Sequence, residues 1–316
     1  MQDSTVTVAG RTADHRLIRG DSLQVLDSIG DGSCRLVISS PPYNIGKEYE
    51  RSHRRSLDEY IAWLKPIVAK AAAKVSEDGH LCWQVGNYVN NGEVFPLDFF
   101  FYQMISELGF KLRNRIIWHF NFGLHATKRF SGRYETLLWF TRSNEYFFNL
   151  DPVRVPQLYP GKRHSSQKGE KAGLPSGNPL GKNPTDFWIF DAQAALFHEP
   201  IWNLPNVKAN HPEKTIHPCQ FPSELVERCV LAMTAVGDTV LDPFVGAGTV
   251  VIAAAKHGRL GIGIDKSGPY IALAEQRLAD YYNGELETRP MGKPPRTPKS
   301  NEKVATVPSE WLSTED

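Results

Sequence analysis

The chain has 316 residues, with 36 basic against 35 acidic side chains and 41 % hydrophobic residues. That is enough to bury a full core and too apolar for a disordered chain, and no run of about 18 apolar residues is present to span a membrane. The opening MQDSTVTVAGRTADHR lacks the apolar centre of an export signal, and the four cysteines at 34, 82, 219 and 229 form no CxxC pair; both predict a reduced, cytoplasmic protein.

Strand and helix signals alternate along the chain. Residues 16–19 predict a short strand ending at Gly20-Asp21, followed by a helix over SLQVLDSI. Residues 33–39 form an apolar run stopped by Pro41-Pro42. Residues 57–75 have helical spacing, with a proline placed to kink them. A strand is expected over LCWQVG, a helix over 97–108, and strands over 115–120 and 135–140. From 144 to 215 periodicity fades into segments rich in proline and glycine, and a loop region of that length is usually functional. Order returns with a helix at 222–234, a strand at 238–241, a glycine loop, a helix at 249–256, a strand at 260–264 and a helix at 270–281. This βαβ alternation predicts an α/β fold with a doubly wound, mostly parallel sheet and a loop-rich insertion over 121–215. Residues 1–15 and 284–316 read as flexible tails, and 16–120 and 216–283 as the two halves of one domain.

Between residues 105 and 185, thirteen basic side chains stand against five acidic ones. A face built for a polyanion and an ordinary solvated surface both account for such a segment.

The sharpest local signal is TVLDPFVGAGTVVIAAAKHGRLGIGID, residues 239–265. A buried strand runs into Asp242-Pro243-Phe244, and Gly246 and Gly248 precede a helix opening at Thr249. Glycines there let a ligand approach the backbone and leave the helix N-terminus free to face it. The next strand ends in Asp265, where an acid can accept hydrogen bonds from ribose hydroxyls. The pattern describes a nucleoside-containing cofactor or, more simply, a tight βα turn. It lacks the last glycine of GxGxxG and the GK[ST] ending of a phosphate loop.

The second signal is LVISSPPYNIG, residues 36–46. Ser40-Pro41-Pro42-Tyr43 follows a buried strand, at the sheet edge where open α/β folds bind ligands. The prolines donate no N–H, which would leave their carbonyls pointing outward, and Tyr43 offers a flat face and a hydroxyl. Such a set suits a planar base with an exocyclic amine, although a polyproline turn closing a strand has the same composition.

Together these segments resemble the beta-type amino DNA methyltransferases of restriction-modification systems. Asp242-Pro243-Phe244-Val-Gly246-Ala-Gly248-Thr249 resembles that family's cofactor loop, and Ser40-Pro41-Pro42-Tyr43 its catalytic loop. Gly20-Asp21 resembles its adenine-contacting motif, and His217-Pro-Cys-Gln-Phe-Pro222 the segment before the cofactor loop. The order of motifs is the circularly permuted one. The resemblance implies a Rossmann-like methyltransferase fold with its catalytic half at 16–120, its target-recognition region at 121–215 and its cofactor half at 216–283. It implies S-adenosylmethionine held by Asp21, His217, Asp242, Pro243, Phe244, Gly246, Gly248, Thr249 and Asp265, with no metal. It also implies double-stranded DNA as partner, functional pairing with a restriction endonuclease, and a monomer or homodimer. One departure is Phe221, which stands where many members carry lysine; Lys214 is the nearest substitute.

The expected reaction is methyl transfer to an exocyclic amine of a flipped-out base, with hydrogen-bond acceptors from Ser40 and the Pro41 carbonyl and stacking by Tyr43. Serine at 40 resembles the cytosine-N4 members, whereas aspartate is commoner among adenine-N6 members, which remain the alternative. Attack on cytosine C5 would need a thiolate, but Cys34, Cys82 and Cys229 read as core residues and Cys219 has no adjacent base. Arg129, Arg133, Lys162, Arg163 and Lys168 are the candidate DNA contacts. A nicotinamide oxidoreductase would leave the Ser-Pro-Pro-Tyr segment without a role, and an inactive DNA-binding relative should carry damaged motifs. RNA or protein as methyl acceptor fits the same amine chemistry.

Overall fold

The computed structural model describes residues 2–8, 11–44, 55–120, 125–157, 159–165, 168–189, 207, 212–220 and 222–292. The strands are β1 (Gln2–Val8), β2 (Arg11–Arg19), β3 (Cys34–Ser39), β4 (Val75–Val85), β5 (Asn87–Asn90), β6 (Glu93–Pro96), β7 (Lys111–His119), β8 (Tyr134–Thr141), β9 (Phe187–Ile189), β10 (Thr239–Asp242) and β11 (Leu260–Asp265). The helices are α1 (Ser22–Val25), α2 (Leu57–Ala73), α3 (Leu97–Glu107), α4 (Ser223–Met233), α5 (Thr249–Lys256) and α6 (Gly268–Asn283).

Among the described residues, nine strands form one sheet in the order β1-β2-β11-β10-β3-β4-β8-β7-β9. From β2 to β4 every pairing is parallel, while β8 runs antiparallel to both β4 and β7. The apolar runs of the central strands follow from burial on both faces. Val37 and Leu241 join a cluster with Leu64 and Val68 of α2 and Phe101 of α3. Leu36 and Val240 point the other way, against Leu225 and Val230 of α4 and Ala253 of α5. A third cluster packs Leu17 and Val251 against Ile271 and Leu278 of α6.

Local chemistry sets the helix ends. The Ser56 hydroxyl accepts from the Glu59 amide at 3.3 Å, while the Glu59 carboxylate accepts from the Ser56 amide at 2.8 Å. This capping box satisfies two otherwise orphaned donors. Despite Pro66, α2 continues through to Ala73.

Two expectations change, and one element is new. Residues 2–8 and 11–15 supply β1 and much of β2, an antiparallel pair, instead of a loose tail; the β-branched run Thr-Val-Thr-Val suits a pleated strand. The predicted C-terminal tail begins with residues held against buried acids. Arg289 donates to Glu224 and Glu213 at 3.0 Å each, and the Gly292 amide to Glu224 at 2.8 Å. A desolvated carboxylate needs such partners. Between β5 and β6 lies a hairpin that the apolar pattern hid. Its turn is Asn91-Gly92, both at positive φ (49° and 86°), the geometry an Asn-Gly pair favours. No helix among the described residues is long and apolar enough to cross a membrane.

Candidate active site

Four loops leave neighbouring strands on the same edge of the sheet. Pairing in parallel register sets Val37 beside Leu241, Asp242 beside Gly263, and Asp265 beside Arg19. Ser40–Tyr43 therefore leaves β3 next to Asp242-Pro243-Phe244 leaving β10, with Asp265 closing β11 and Gly20-Asp21 following β2.

Hydrogen bonds fasten these loops together. Ser39 Oγ donates to Asp242 Oδ1 at 2.6 Å, and the Phe244 amide donates to the same oxygen at 2.9 Å. Ser22 Oγ donates to the Pro243 carbonyl at 2.5 Å, and the Gly20 amide to the Asp265 carbonyl at 3.0 Å. Asp21 caps α1, its carboxylate accepting from the Leu23 amide at 2.9 Å. Asp265 takes the Gly246 amide on Oδ2 at 3.1 Å and the Ser267 amide on Oδ1 at 2.8 Å. Burial pushes its carboxyl up, against the pull of these two amides. Asp242 is 1 % exposed, so it acts here as an inward strap between loops.

The glycine loop is a cradle. Gly246 has φ 47° and Gly248 φ 81°. A Cβ on Gly246 would lie 2.9 Å from His217 Nε2, and one on Gly248 would lie 2.8 Å from Ala274 Cβ. Thr249 opens α5 and is buried. Arg277 donates to the Ala247 carbonyl from beneath the loop. His217 meets Tyr270 edge-on at 4.6 Å, and burial lowers its imidazole to about 4, so the ring is neutral near pH 7. Lys214 donates to the His217 carbonyl at 2.7 Å; Phe221 lies outside the described residues. Phe244 is half-buried between Trp63 and Trp83, at 6.1 and 6.4 Å.

The Ser-Pro-Pro-Tyr segment differs from expectation in two respects. The Pro42 carbonyl does not point outward, because Tyr60 donates to it at 2.7 Å. Tyr43 is 8 % exposed, so it is not the open plate its sequence suggested. Gly86 provides the room: a Cβ there would touch the Tyr43 ring at 3.4 Å.

The Tyr43 hydroxyl lies 2.8 Å from Ser40 Oγ and donates to Glu135 at 3.2 Å. Gln84 donates to the same Glu135 oxygen. Burial pushes the Tyr43 phenol well above its ordinary value and Glu135 pushes it further, so it stays protonated. Because that proton goes to Glu135, the Ser40 proton goes to Tyr43. The Ser40 lone pairs are thereby left as acceptors. Sequence reasoning missed Glu135 and Gln84. The available signal was Glu135 itself, an isolated acid in a basic stretch at the start of a predicted strand.

The expected nucleic-acid contacts fall in two places. Arg129 is exposed and Arg133 half-buried in the loop between β7 and β8, directly before Glu135. Lys162, Arg163 and Lys168 are exposed on a separate finger, pinned by the Val155–Lys182 and Arg163–Pro175 bridges. Cys34, Cys82 and Cys229 are buried as expected, and Cys219 is half-buried.

The sequence profile of the DNA methylase family matches residues 34–276. The Type II methyltransferase M.BglII of Bacillus subtilis is 44 % identical over 266 residues, covering 84 % of this chain and 69 % of its own. The Type II methyltransferase M.ScaI of Streptomyces caespitosus is 36 % identical over 271 residues, covering 84 % and 82 %. Among solved structures, a DNA modification methylase of Thermus thermophilus, TTHA0409, complexed with S-adenosyl-L-methionine, is 27 % identical. It covers 85 % of this chain and 97 % of its own, with a TM-score of 0.55.

Proposed function

Because this chain belongs to the DNA methylase family of N6 and N4 methyltransferases, we propose that it methylates the N4 amine of a cytosine flipped out of duplex DNA, with S-adenosylmethionine as donor. The observation that carries the reading is the Ser39–Asp242 bond at 2.6 Å. It fixes the base-holding segment and the glycine cradle side by side at one sheet edge.

The residues present fit the donor. Gly246 and Gly248, both at positive φ and with His217 and Ala274 packed where a Cβ would stand, keep the loop free of side chains, so its backbone is bare for close approach by a ligand. Asp265 keeps lone pairs on both oxygens after accepting one amide on each, as a partner of ribose hydroxyls must. Phe244, two residues before Gly246, packs against Trp63 and gives the loop an apolar neighbour. When bound, S-adenosylmethionine supplies a methyl group on a positively charged sulfur.

The chain's own residues activate the acceptor. An exocyclic amine is a poor nucleophile because its lone pair is delocalised into the ring. Ser40 Oγ, held as an acceptor by Tyr43 and Glu135, and the Pro41 carbonyl draw the two amine protons. The nitrogen lone pair is thereby localised for attack. Fixed dipoles and positioning do this without a covalent intermediate. Tyr43, only 8 % exposed, acts through its hydroxyl instead of as a stacking plate.

A serine hydroxyl at 40, in place of a carboxylate, supports cytosine N4 over adenine N6. Arg129, Arg133, Lys162, Arg163 and Lys168 serve as the DNA contacts, and the modification protects sites from a cognate restriction endonuclease. Mass spectrometry of nucleosides from unmethylated duplex DNA treated with protein and S-adenosylmethionine tests the reading. N4-methylcytosine is expected, N6-methyladenine alone would move the target to adenine, and no methylated base would overturn the reading.

A further inference from the structure

Phe130 is the most exposed large apolar side chain among the described residues, at 99 %. Its surroundings in the chain are basic and small: Lys128 and Arg129 precede it, and Ser131, Gly132 and Arg133 follow. A single exposed apolar side chain is ordinary on a protein surface, so what sets Phe130 apart is its full exposure within a cationic turn and the place of that turn.

The backbone around Phe130 is shaped. His119 pairs with Tyr134 at the mouth of the loop, and the Phe120 amide donates to the Arg133 carbonyl at 2.8 Å. Nearer the tip, the Ala126 amide donates to Ser131 Oγ at 3.1 Å, and Arg129 donates to the Phe130 carbonyl at 3.2 Å. The ring is thus displayed on a closed turn.

The place is as informative as the exposure. β8 runs antiparallel to β4, with Thr136 opposite Val85, so the β7–β8 loop emerges at the edge that carries Ser40–Tyr43. Glu135, two residues after Arg133, accepts the Tyr43 hydroxyl. A projecting aromatic ring beside cationic side chains therefore rises from the same sheet edge as the segment that takes the base.

We propose that Phe130 is a wedge that enters the base stack of the duplex and fills the space vacated by the target cytosine. Arg129 and Arg133 hold the flanking phosphates. Apolar side chains inserted between base steps unstack and kink DNA in this way, and extrusion of a paired base carries an energetic cost that such a filler offsets. The basic surround favours a polyanion over an apolar protein surface as the partner of this ring. The proposal rests on the DNA-methylation reading and adds how the base is expelled.

The test compares the wild-type protein with Phe130→Ala in single-turnover methylation, once the modified cytosines have been mapped. One duplex carries the target in a normal pair; the other places it opposite an abasic site, where little pairing has to be broken. On the paired duplex the variant should lose on the order of 10-fold or more in rate, while on the abasic duplex the two proteins should agree within about 2-fold. Phe130→Leu, which keeps an apolar wedge, should recover most of the rate. Equal loss on both duplexes, or no loss on the paired one, would overturn the wedge. Failure of the wild-type protein to methylate either duplex would instead overturn the reading beneath it. Full exposure of the side chain makes misfolding of either variant an unneeded explanation.

Discussion

Ser39 Oγ donates to Asp242 Oδ1 at 2.6 Å across 203 positions of sequence, joining the ends of two adjacent parallel strands. The same carboxylate oxygen also takes the Phe244 amide, so one buried acid sets the paths of both functional loops. Burial pushes the Asp242 carboxyl up to about 7, against the pull of Ser39 and Phe244, and Asp265 nearby raises it further.

The first prediction is a pH dependence of stability. Between its ordinary value of 3.8 and about 7, Asp242 is protonated in the folded chain and ionised in the unfolded one. The folded state binds more protons there, so this group's contribution to stability falls as pH rises through that window. The loss is on the order of a few kcal/mol. Asp242→Asn keeps an acceptor for Ser39 and Phe244 without the charge. Its melting temperature should vary less than wild type between pH 5 and pH 8, and should exceed wild type at the upper end. Parallel profiles would contradict the assignment.

A second prediction separates the cradle from general strain. Gly246, Gly248 and Gly92 all have positive φ, but a Cβ on Gly92 meets nothing within 4 Å. Each alanine variant costs backbone strain of about 1–3 kcal/mol. Calorimetry should show S-adenosylmethionine affinity reduced roughly 10-fold or more for Gly246→Ala and Gly248→Ala, because a Cβ there displaces His217 or Ala274 and with them the path of the loop. Gly92→Ala should bind normally. Equal weakening in all three would remove the cradle's special role.

Third, the orientation of the Ser40 hydroxyl depends on the chain running through Tyr43 to Glu135. Tyr43→Phe removes that chain and keeps the ring, and Glu135→Gln replaces an obligate acceptor with a group that also donates. Hydrogen bonds to a charged group contribute about 1.5–3 kcal/mol, so methyl transfer should slow by roughly 10- to 100-fold in both variants. The cofactor dissociation constant should not move. A changed cofactor affinity with an unchanged transfer rate would contradict the proposed orientation.

Much of this was legible in the sequence. The helix over Thr249–Lys256 and the strand Leu260–Asp265 follow from apolar runs bounded by glycine and acid, and doubly buried strands advertise themselves by continuous hydrophobicity. What escaped depended on pairing between distant segments. The Pro42 carbonyl is taken by Tyr60 of α2, and Glu135 gains its role from a tyrosine 92 positions earlier. Neither relation leaves a local pattern. The β5–β6 hairpin did leave one, in Asn91-Gly92, but its four-residue strands are too short for a periodicity argument to register.

A fourth prediction concerns the basic finger. Replacing Lys162 and Arg163 with neutral residues should weaken DNA binding across sequences. It should also flatten the slope of log affinity against log salt by about 1 to 2, since each phosphate contact contributes roughly 0.9. An unchanged slope would place the phosphate contacts elsewhere, with Arg129 and Arg133 the next pair to neutralise.

The claim that the Ser40–Tyr43 segment and the Gly246–Gly248 loop serve a single pocket is tested most directly by a structure of the chain with S-adenosylmethionine and duplex DNA. The account predicts the donor against Gly246, Gly248 and Asp265, with an extrahelical cytosine beside Ser40 and Tyr43. The amine nitrogen should approach the transferable methyl carbon to about 3–3.5 Å, the separation of a near-attack pair. A donor bound away from the glycine loop, or a target base still stacked in the helix, would contradict it.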